Sequence, residues 1–257
     1  MNMTSNGEFE EFDEANEHKI KPLIILKEVL KKYEIGDWIV RAVDNVNLSI
    51  FETEFVAIVG PSGAGKTTLL NLIAGLDSVD QGEIYNSGIK ITDMSEESLA
   101  TFRIINIGFI FQNYNLISTL TAEENVIFPM MLAGMTLNER REKAIKLLEE
   151  MGLNERKEHL PFQLSAGEQQ RVAIARALGN DPPIIIADEP TANLDTETAI
   201  FISKLFRKLK ENKKTIIVAT HDERLTEQAD RIILFNEAQI VKQDIIHDIL
   251  KENNINL

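Results

Sequence analysis

The chain contains no cysteine, so neither a disulfide nor a thiolate-held metal can be built from it. That suits a reducing compartment. Positive charge is also in short supply: 27 Lys and Arg against 41 Asp and Glu leave a net charge of −14. A surface with that balance is soluble and ill suited to gripping a phosphate backbone, so nucleic acid is not an expected partner. No apolar run approaches the ~18 residues of a membrane-spanning helix. The opening stretch, "MNMTSNGEFEEFDEANEHK", lacks the basic start and apolar segment of a secretory signal. Its acids (Glu8, Glu10, Glu11, Asp13, Glu14, Glu17) and its lack of anything to bury predict a mobile acidic tail over residues 1–21, ahead of one folded unit over 22–257.

With 44% hydrophobic and 26% charged residues, the rest can bury an ordinary core. Short apolar runs recur: "FVAIV" (55–59), "IGFIF" (107–111), "PIIIA" (183–187), "TIIVAT" (215–220) and "RIILF" (231–235). They are continuous rather than alternating, as in strands covered by helices on both faces of a parallel sheet. Helical patterns lie between them. In "TAIFISKLFRKLK", Ile202, Leu205, Phe206 and Leu209 fall on one face. In "NERREKAIKLLEEMG", Glu139–Lys143 and Glu142–Lys146 are favourable pairs four residues apart. The pattern predicts a layered α/β core with a mostly parallel sheet. The segment "LIILKEVLKKYEIGDWIVRAVDNVNLSI" alternates more and predicts a small antiparallel sheet beside it. Residues 115–165 read as mostly helical and suggest a helical subdomain.

"GPSGAGKTT", Gly60 to Thr68, follows the strand "FVAIV" and opens the helix "TTLLNLIAG", with Gly75 as its stop. This is a complete P-loop pattern in its required strand–loop–helix setting. The backbone N–H groups of Gly60, Pro61, Ser62, Gly63, Ala64, Gly65, Lys66, Thr67 and Thr68 (proline excepted) can curl around phosphate oxygens, with the helix N-terminus adding positive potential. Lys66 can reach the β- and γ-phosphates, and the Thr67 hydroxyl can coordinate Mg²⁺. "IIIADEP" ends a buried strand on Asp188 and Glu189, at the end of the strand that faces the ligand crevice. Asp188 there suits Mg²⁺. Glu189 suits the base that orients and deprotonates a water.

A P-loop does not choose among its many users. A guanine-reading Asn-Lys-x-Asp is missing, since "NKKT" (212–215) lacks the aspartate. "LSAGEQQRVAIARAL" (164–178), followed by "DEPTANLD" and "THD", resembles the nucleotide-binding protein of the ABC transporter family. The resemblance covers nearly the whole chain after about residue 22. It implies an ATPase that pairs head to tail, two ATP molecules lying between the P-loop of one subunit and the signature helix of the other. Ser165 and Gly167 would then contact the γ-phosphate in trans. Ser165 and Glu168 also read as a capping box, which explains both residues locally. Ala166 stands where the family most often has glycine, and Glu168 where glutamine is frequent.

The resemblance also implies that Gln112 touches Mg²⁺ and the attacking water, that His221 contacts the γ-phosphate, and that Asp195 lies between subunits. Asp195 can equally cap the next helix. Tyr33 matches the aromatic that stacks on adenine; Trp38 is the rival, and either can be a core residue. "FQNYNLISTLTAEENVIFPMMLAGM" and "HLPFQLSAGEQQRVAIARAL" look most like the branch serving lipoprotein release, macrolide efflux, antimicrobial-peptide export and a cell-division complex. That implies an ATPase working on a separate integral membrane subunit at the cytoplasmic face of the membrane. The pair is two copies of this chain or one copy with a relative, and a homodimer is the simpler expectation, since every half-site is present in this chain. The alternative is a non-transport ABC ATPase acting on DNA, ribosomes or the cell-division machinery. Against it, the stretch between Lys66 and Ser165 holds no sustained heptads, and the chain carries one such domain rather than two.

Overall fold

Two long strands, β1 (Pro22–Ile35) and β2 (Trp38–Phe51), form a hairpin about the turn Gly36–Asp37. The computed structural model describes residues 22–245, so the acidic tail expected at 1–21 lies outside the described residues. The alternation of β2 sends Val46, Leu48 and Ile50 inward. Then follow β3 (Phe55–Val59), α1 (Lys66–Ile73), β4 (Gln81–Asn86), β5 (Ile89–Lys90), α2 (Glu96–Asn106) and β6 (Ile107–Ile110). Next come α3 (Ala122–Leu132), α4 (Leu137–Glu150), α5 (Ala166–Leu178), β7 (Ile184–Asp188), α6 (Thr196–Glu211), β8 (Thr215–Ala219), α7 (Glu223–Thr226), β9 (Arg231–Asn236) and β10 (Gln239–Ile245).

The strands make two sheets. One is antiparallel, in the order β2-β1-β4-β5; the other runs β10-β9-β3-β8-β7-β6, parallel except at its β10 edge. Both expected sheets are present. Strands β4, β5 and β10 extend them beyond the runs singled out in the sequence, because short half-exposed strands carry little apolar signal.

The continuous apolar runs have a simple cause. Strand side chains alternate, so one run must fill two cores. Val56 and Ile58 of β3, Ile184 and Ile186 of β7, and Ile217 and Ala219 of β8 join the cluster shared with the small sheet and α1. Phe55 and Ala57, Ile185 and Ala187, and Ile216 and Val218 join the opposite cluster, under α3, α4, α5 and α6. The helices within 115–165 are α3, α4 and two short 3₁₀ turns (154–156 and 161–163), and their buried residues, Val126, Met130, Ala144 and Leu148 among them, run without a break into that second cluster. Ile202, Phe206 and Leu209 of α6 are buried and Leu205 half-buried, on the face expected.

Two local expectations change. Glu139 does not reach forward to Lys143; its Oε2 accepts from the Thr136 N–H at 3.0 Å and the Thr136 hydroxyl at 2.5 Å, closing a cap over α4. The orphan N–H of a helix start outcompetes an exposed ion pair for the same carboxylate. Strand β6 stops at Ile110, one residue short, where the chain turns towards Gln112.

Register then sets the site. Ile58 lies beside Ala219, Ala219 beside Asp188, and Ile110 beside Ala187. The carboxyl ends of β3, β8, β7 and β6 are therefore level, and the loops leaving them open onto one crevice.

Candidate active site

At the end of β3 the chain wraps into the N-terminus of α1 through residues 60–65. Gly65 caps the helix at φ 102°, and a Cβ built there would stand 2.0 Å from the Ala42 carbonyl oxygen; one on Gly60 would stand 1.9 Å from that of Phe235. No side chain fits at either place, so glycine lets the loop press against β2 and β9. Helix α1 ends as expected at Gly75, whose N–H bonds the Leu72 carbonyl at 3.0 Å while that of Leu76 bonds Asn71 at 2.8 Å. Lys66 folds back over the loop, its Nζ donating to the carbonyls of Gly60 at 2.7 Å and Pro61 at 3.1 Å.

The loop borders a cleft of about 620 Å³. Its floor is the end of β7. There the Thr67 hydroxyl donates to Asp188 Oδ2 at 2.7 Å. Burial pushes the Asp188 carboxyl above its ordinary range; the Thr67 bond and Lys66 pull the other way, and Glu189 adds to the rise. Glu189 follows at φ 46°, a left-handed conformation rare outside glycine, held by its N–H to the Ala219 carbonyl at 2.8 Å. Its carboxylate faces His221, whose Nδ1 lies 3.1 Å from Oε1 and 2.9 Å from Oε2. Gln112 lines the same cleft from the end of β6.

The far wall comes from the hairpin. Tyr33 borders the cleft, and its hydroxyl donates to Asp77 Oδ2 at 2.6 Å; burial and that bond push the phenol up. Lys31, almost wholly buried, donates to Asp77 Oδ1 and to the Ser78 carbonyl, each at 2.7 Å. Trp38 is 79% exposed at the hairpin tip and does not line the cleft, so it is neither a core residue nor Tyr33's equal.

Gly60, Pro61, Ser62, Gly63, Gly65, Lys66, Thr67, Thr68, Gln112, Asp188, Glu189, His221 and Tyr33 thus share one cleft. Ala64 turns its methyl into the core instead. Ser165, Gly167 and Asp195 stand apart from the cleft. Ser165 caps α5: its Oγ accepts from the Glu168 N–H at 3.3 Å, and Glu168 Oε2 accepts from the Ser165 N–H at 2.8 Å. Glu168 therefore turns back on its own helix, and Arg156 Nε donates to its other oxygen at 3.0 Å. Gly167 is pressed against α6, where a Cβ would lie 2.9 Å from Thr198 Oγ1. Asp195 caps α6, accepting from the Thr198 N–H at 2.9 Å and its hydroxyl at 2.8 Å. Within one chain, then, Ser165 and Asp195 act as caps.

A family model described as ABC transporter matches residues 43–192, more than half of the chain. The chain belongs to the ABC transporter family. It is an ATP-binding ATPase of that family. An uncharacterized ABC transporter ATP-binding protein of Methanocaldococcus jannaschii, MJ1508, is 50% identical over 220 residues, covering 86% of this chain and 98% of that one. The macrolide export ATP-binding/permease protein MacB of Hyphomonas neptunium is 47% identical over 86% of this chain, which spans 34% of MacB. The dimeric structure of the ATP-binding cassette MJ0796, in a post-hydrolysis state with ADP and Pi, superposes with a TM-score of 0.83 at 45% identity, covering 87% of this chain and 98% of that one.

The ABC cleft also contains residues that the sequence reading passed over. Val40, Arg41 and Ala42 of β2 line it. The signal was the hairpin turn, whose register pairs Tyr33 with Val40. Asp77 gave no such signal, because its link to Tyr33 crosses 44 residues.

Proposed function

We propose that this ABC ATPase pairs head to tail with a second copy of itself around two ATP molecules. The closing of that pair drives a separate integral membrane subunit from the cytoplasmic face of the membrane. The observation that supports this best is the division within one chain. The cleft gathers the phosphate loop, Asp188, Glu189, His221 and Gln112, while the capped end of α5 stands away from it with Ser165 and Ala166 exposed. A capped helix start with small side chains suits close approach to an anion, so each chain would contribute complementary halves of two sites.

In this reading the N–H groups of residues 60–68 receive the phosphates. Lys66 leaves the carbonyls of Gly60 and Pro61 for the β- and γ-phosphate oxygens, and Tyr33 stacks on the base. The donor set of Thr67 Oγ1 and Asp188 Oδ2 is all oxygen, as Mg²⁺ prefers. Among the described residues no group of three His, Cys, Asp or Glu side chains could hold a metal alone, so nucleotide oxygens would complete the shell, with Gln112 close by. Bound Mg²⁺ supplies charge neutralisation on the phosphates. Glu189 orients the attacking water and takes its proton. His221 steadies the Glu189 carboxylate and contacts the γ-phosphate, and Gln112 contacts the same water. Ser165, Gly167 and Asp195 of the opposing copy close the site.

Likeness to macrolide export proteins supports a role in export or extraction of a lipoprotein, peptide or drug. Among the described residues no helix is long and apolar enough to cross a membrane, so in this reading the spanning part belongs to the membrane subunit. The net charge of −14 supports the absence of nucleic acid.

The test is Glu189→Gln. It should bind ATP, accumulate as a dimer, and turn over roughly 10²–10⁴-fold more slowly, the loss expected for a general base. Purified from membranes with Mg-ATP, it should bring down an integral membrane protein in stoichiometric amount. Wild-type turnover would remove the base assignment. Recovery of ribosomes or DNA instead would leave the ATPase standing with a different output.

A further inference from the structure

Helix α5 is bonded at two points to the loops that carry Glu189 and Gln112. The first is Gln170. Its side chain is 1% exposed, and its Nε2 donates to the Pro190 carbonyl at 2.8 Å, one residue beyond Glu189. Its Oε1 is buried without a partner. A half-satisfied interior amide is disfavoured against an apolar side chain of similar size, so packing alone does not account for glutamine here. What the bond does is hold the turn in which Glu189 sits at φ 46°.

The second point is Arg176. Its guanidinium donates to the carbonyls of Tyr114, at 2.7 Å, and Asn115, and lies 5.9 Å from the centroid of the Phe111 ring. Among the described residues no carboxylate pairs with it, and burial lowers it to about 10. Tyr114 and Asn115 both have left-handed backbones, at φ 60° and 48°. The planar fork thus clamps a strained turn two residues after Gln112. Between these points and Ser165 runs one helix with no proline, and no glycine beyond its first turn. At 1.5 Å per residue, Ser165 to Arg176 is a rod of about 16 Å.

We propose that Gln170 and Arg176 are positioning residues through which α5 sets Glu189 and Gln112 for hydrolysis, so that what sits against Ser165 and Gly167 is felt in the cleft of the same chain. The proposal rests on the head-to-tail reading above. In such a pair, what sits against α5 is the other nucleotide, and the two ATP sites are joined through a rigid helix. Both residues act through main-chain carbonyls. Their removal should therefore spare ATP binding and dimer closure and strike turnover.

The experiment compares Gln170→Met and Arg176→Met in the full chain. It reads kcat, KM and thermal midpoint, and ATP-driven dimer assembly with each change placed on Glu189→Gln. The expected split is a kcat lowered about tenfold or more, with KM and the ATP midpoint of assembly within about threefold of their parents. Arg176→Lys keeps the charge but not the fork, and should show the same split should the methionine variant fail to fold. Folded variants with kcat within about twofold of the wild type overturn the proposal. So does a loss of kcat matched by an equal loss of dimer assembly, since that is general weakening. Wild-type turnover in Glu189→Gln by itself would strike the base assignment, and with it the Gln170 half of the proposal.

Discussion

Asp188 on the floor of the cleft and Glu168 at the mouth of α5 are both partly or wholly withdrawn from water, and their carboxyls move in opposite directions. Burial raises Asp188. Glu168 is lowered by the Ser165 N–H, with Arg156 assisting against the effect of burial. Asp195, near the same end of α5, is lowered by the Thr198 N–H and hydroxyl. The acids beside α5 have their partners within the chain. Asp188 has the Thr67 hydroxyl as its hydrogen-bond donor and a weaker pull from Lys66, which suits the cation of the proposed reading. The cleft is built to be completed by a ligand. The α5 face is locally complete, and in the proposed head-to-tail pair its further role comes from a second chain.

Mixing two defective chains would break this comparison most directly. Lys66→Ala disables the cleft and leaves the α5 face intact; Ser165→Arg does the reverse. Each alone should lose nearly all ATPase activity. If the pair is head to tail, an equimolar mixture regains one good site in each mixed dimer, at most about a quarter of wild-type activity under random pairing. ATPase assays of the mixture decide it: activity above that of either variant alone shows that the site is shared, and a recovery well short of a quarter is what coupling through α5 leaves, since the intact cleft then belongs to the chain whose α5 carries Ser165→Arg.

A smaller effect separates the two uses of Gly167. Its missing Cβ is needed within the chain, 2.9 Å from Thr198 Oγ1. Gly167→Ala should therefore destabilise the single chain by about 1–3 kcal/mol, the usual cost of overpacking. Denaturant unfolding without nucleotide measures it. Repacking with Thr198→Ser should not restore stability fully, because the hydroxyl is the closer atom.

The smallest effect concerns Asp188. A carboxyl raised in the fold gives stability that is full below its ordinary value of 3.8 and lost as pH rises through its folded value. At neutral pH without nucleotide the ionised form is thus a liability. Asp188→Asn keeps an acceptor for Thr67 and should raise the thermal midpoint of the nucleotide-free chain by about 2–4 °C, what about 1 kcal/mol does to a domain of 150–250 residues. The gain should vanish in acid, and Mg²⁺-dependent stabilisation by ATP should be lost with it. A lower midpoint at neutral pH would contradict the account.

Much of the cleft could be read from the chain because its parts are local. A P-loop needs a strand, glycines and a helix in immediate succession, and Asp188–Glu189 needs only the end of an apolar run. The buried strands were legible for the same reason: each is a short uninterrupted apolar word. Strands β4, β5 and β10 were not: all three are half-exposed and carry little apolar signal, and β4 also pairs with the distant β1. Nor was the preference of Glu139 for its own helix start, since capping and ion pairing make the same demand on a glutamate until the backbone is placed.

The sequence by itself determined that the chain carries a complete P-loop pattern, an adjacent Asp188–Glu189 pair at the end of an apolar strand and a capped helix start of small residues, because each is written in consecutive residues. Only the tertiary structure decided that the carboxyl ends of four strands are level, that Tyr33 and not Trp38 faces the cleft, and that Gln170 and Arg176 tie α5 to the loops around it. Those outcomes depend on strand register and on contacts across 20 to 62 residues of chain, and distances of that kind are set by packing rather than by any neighbouring pair of residues.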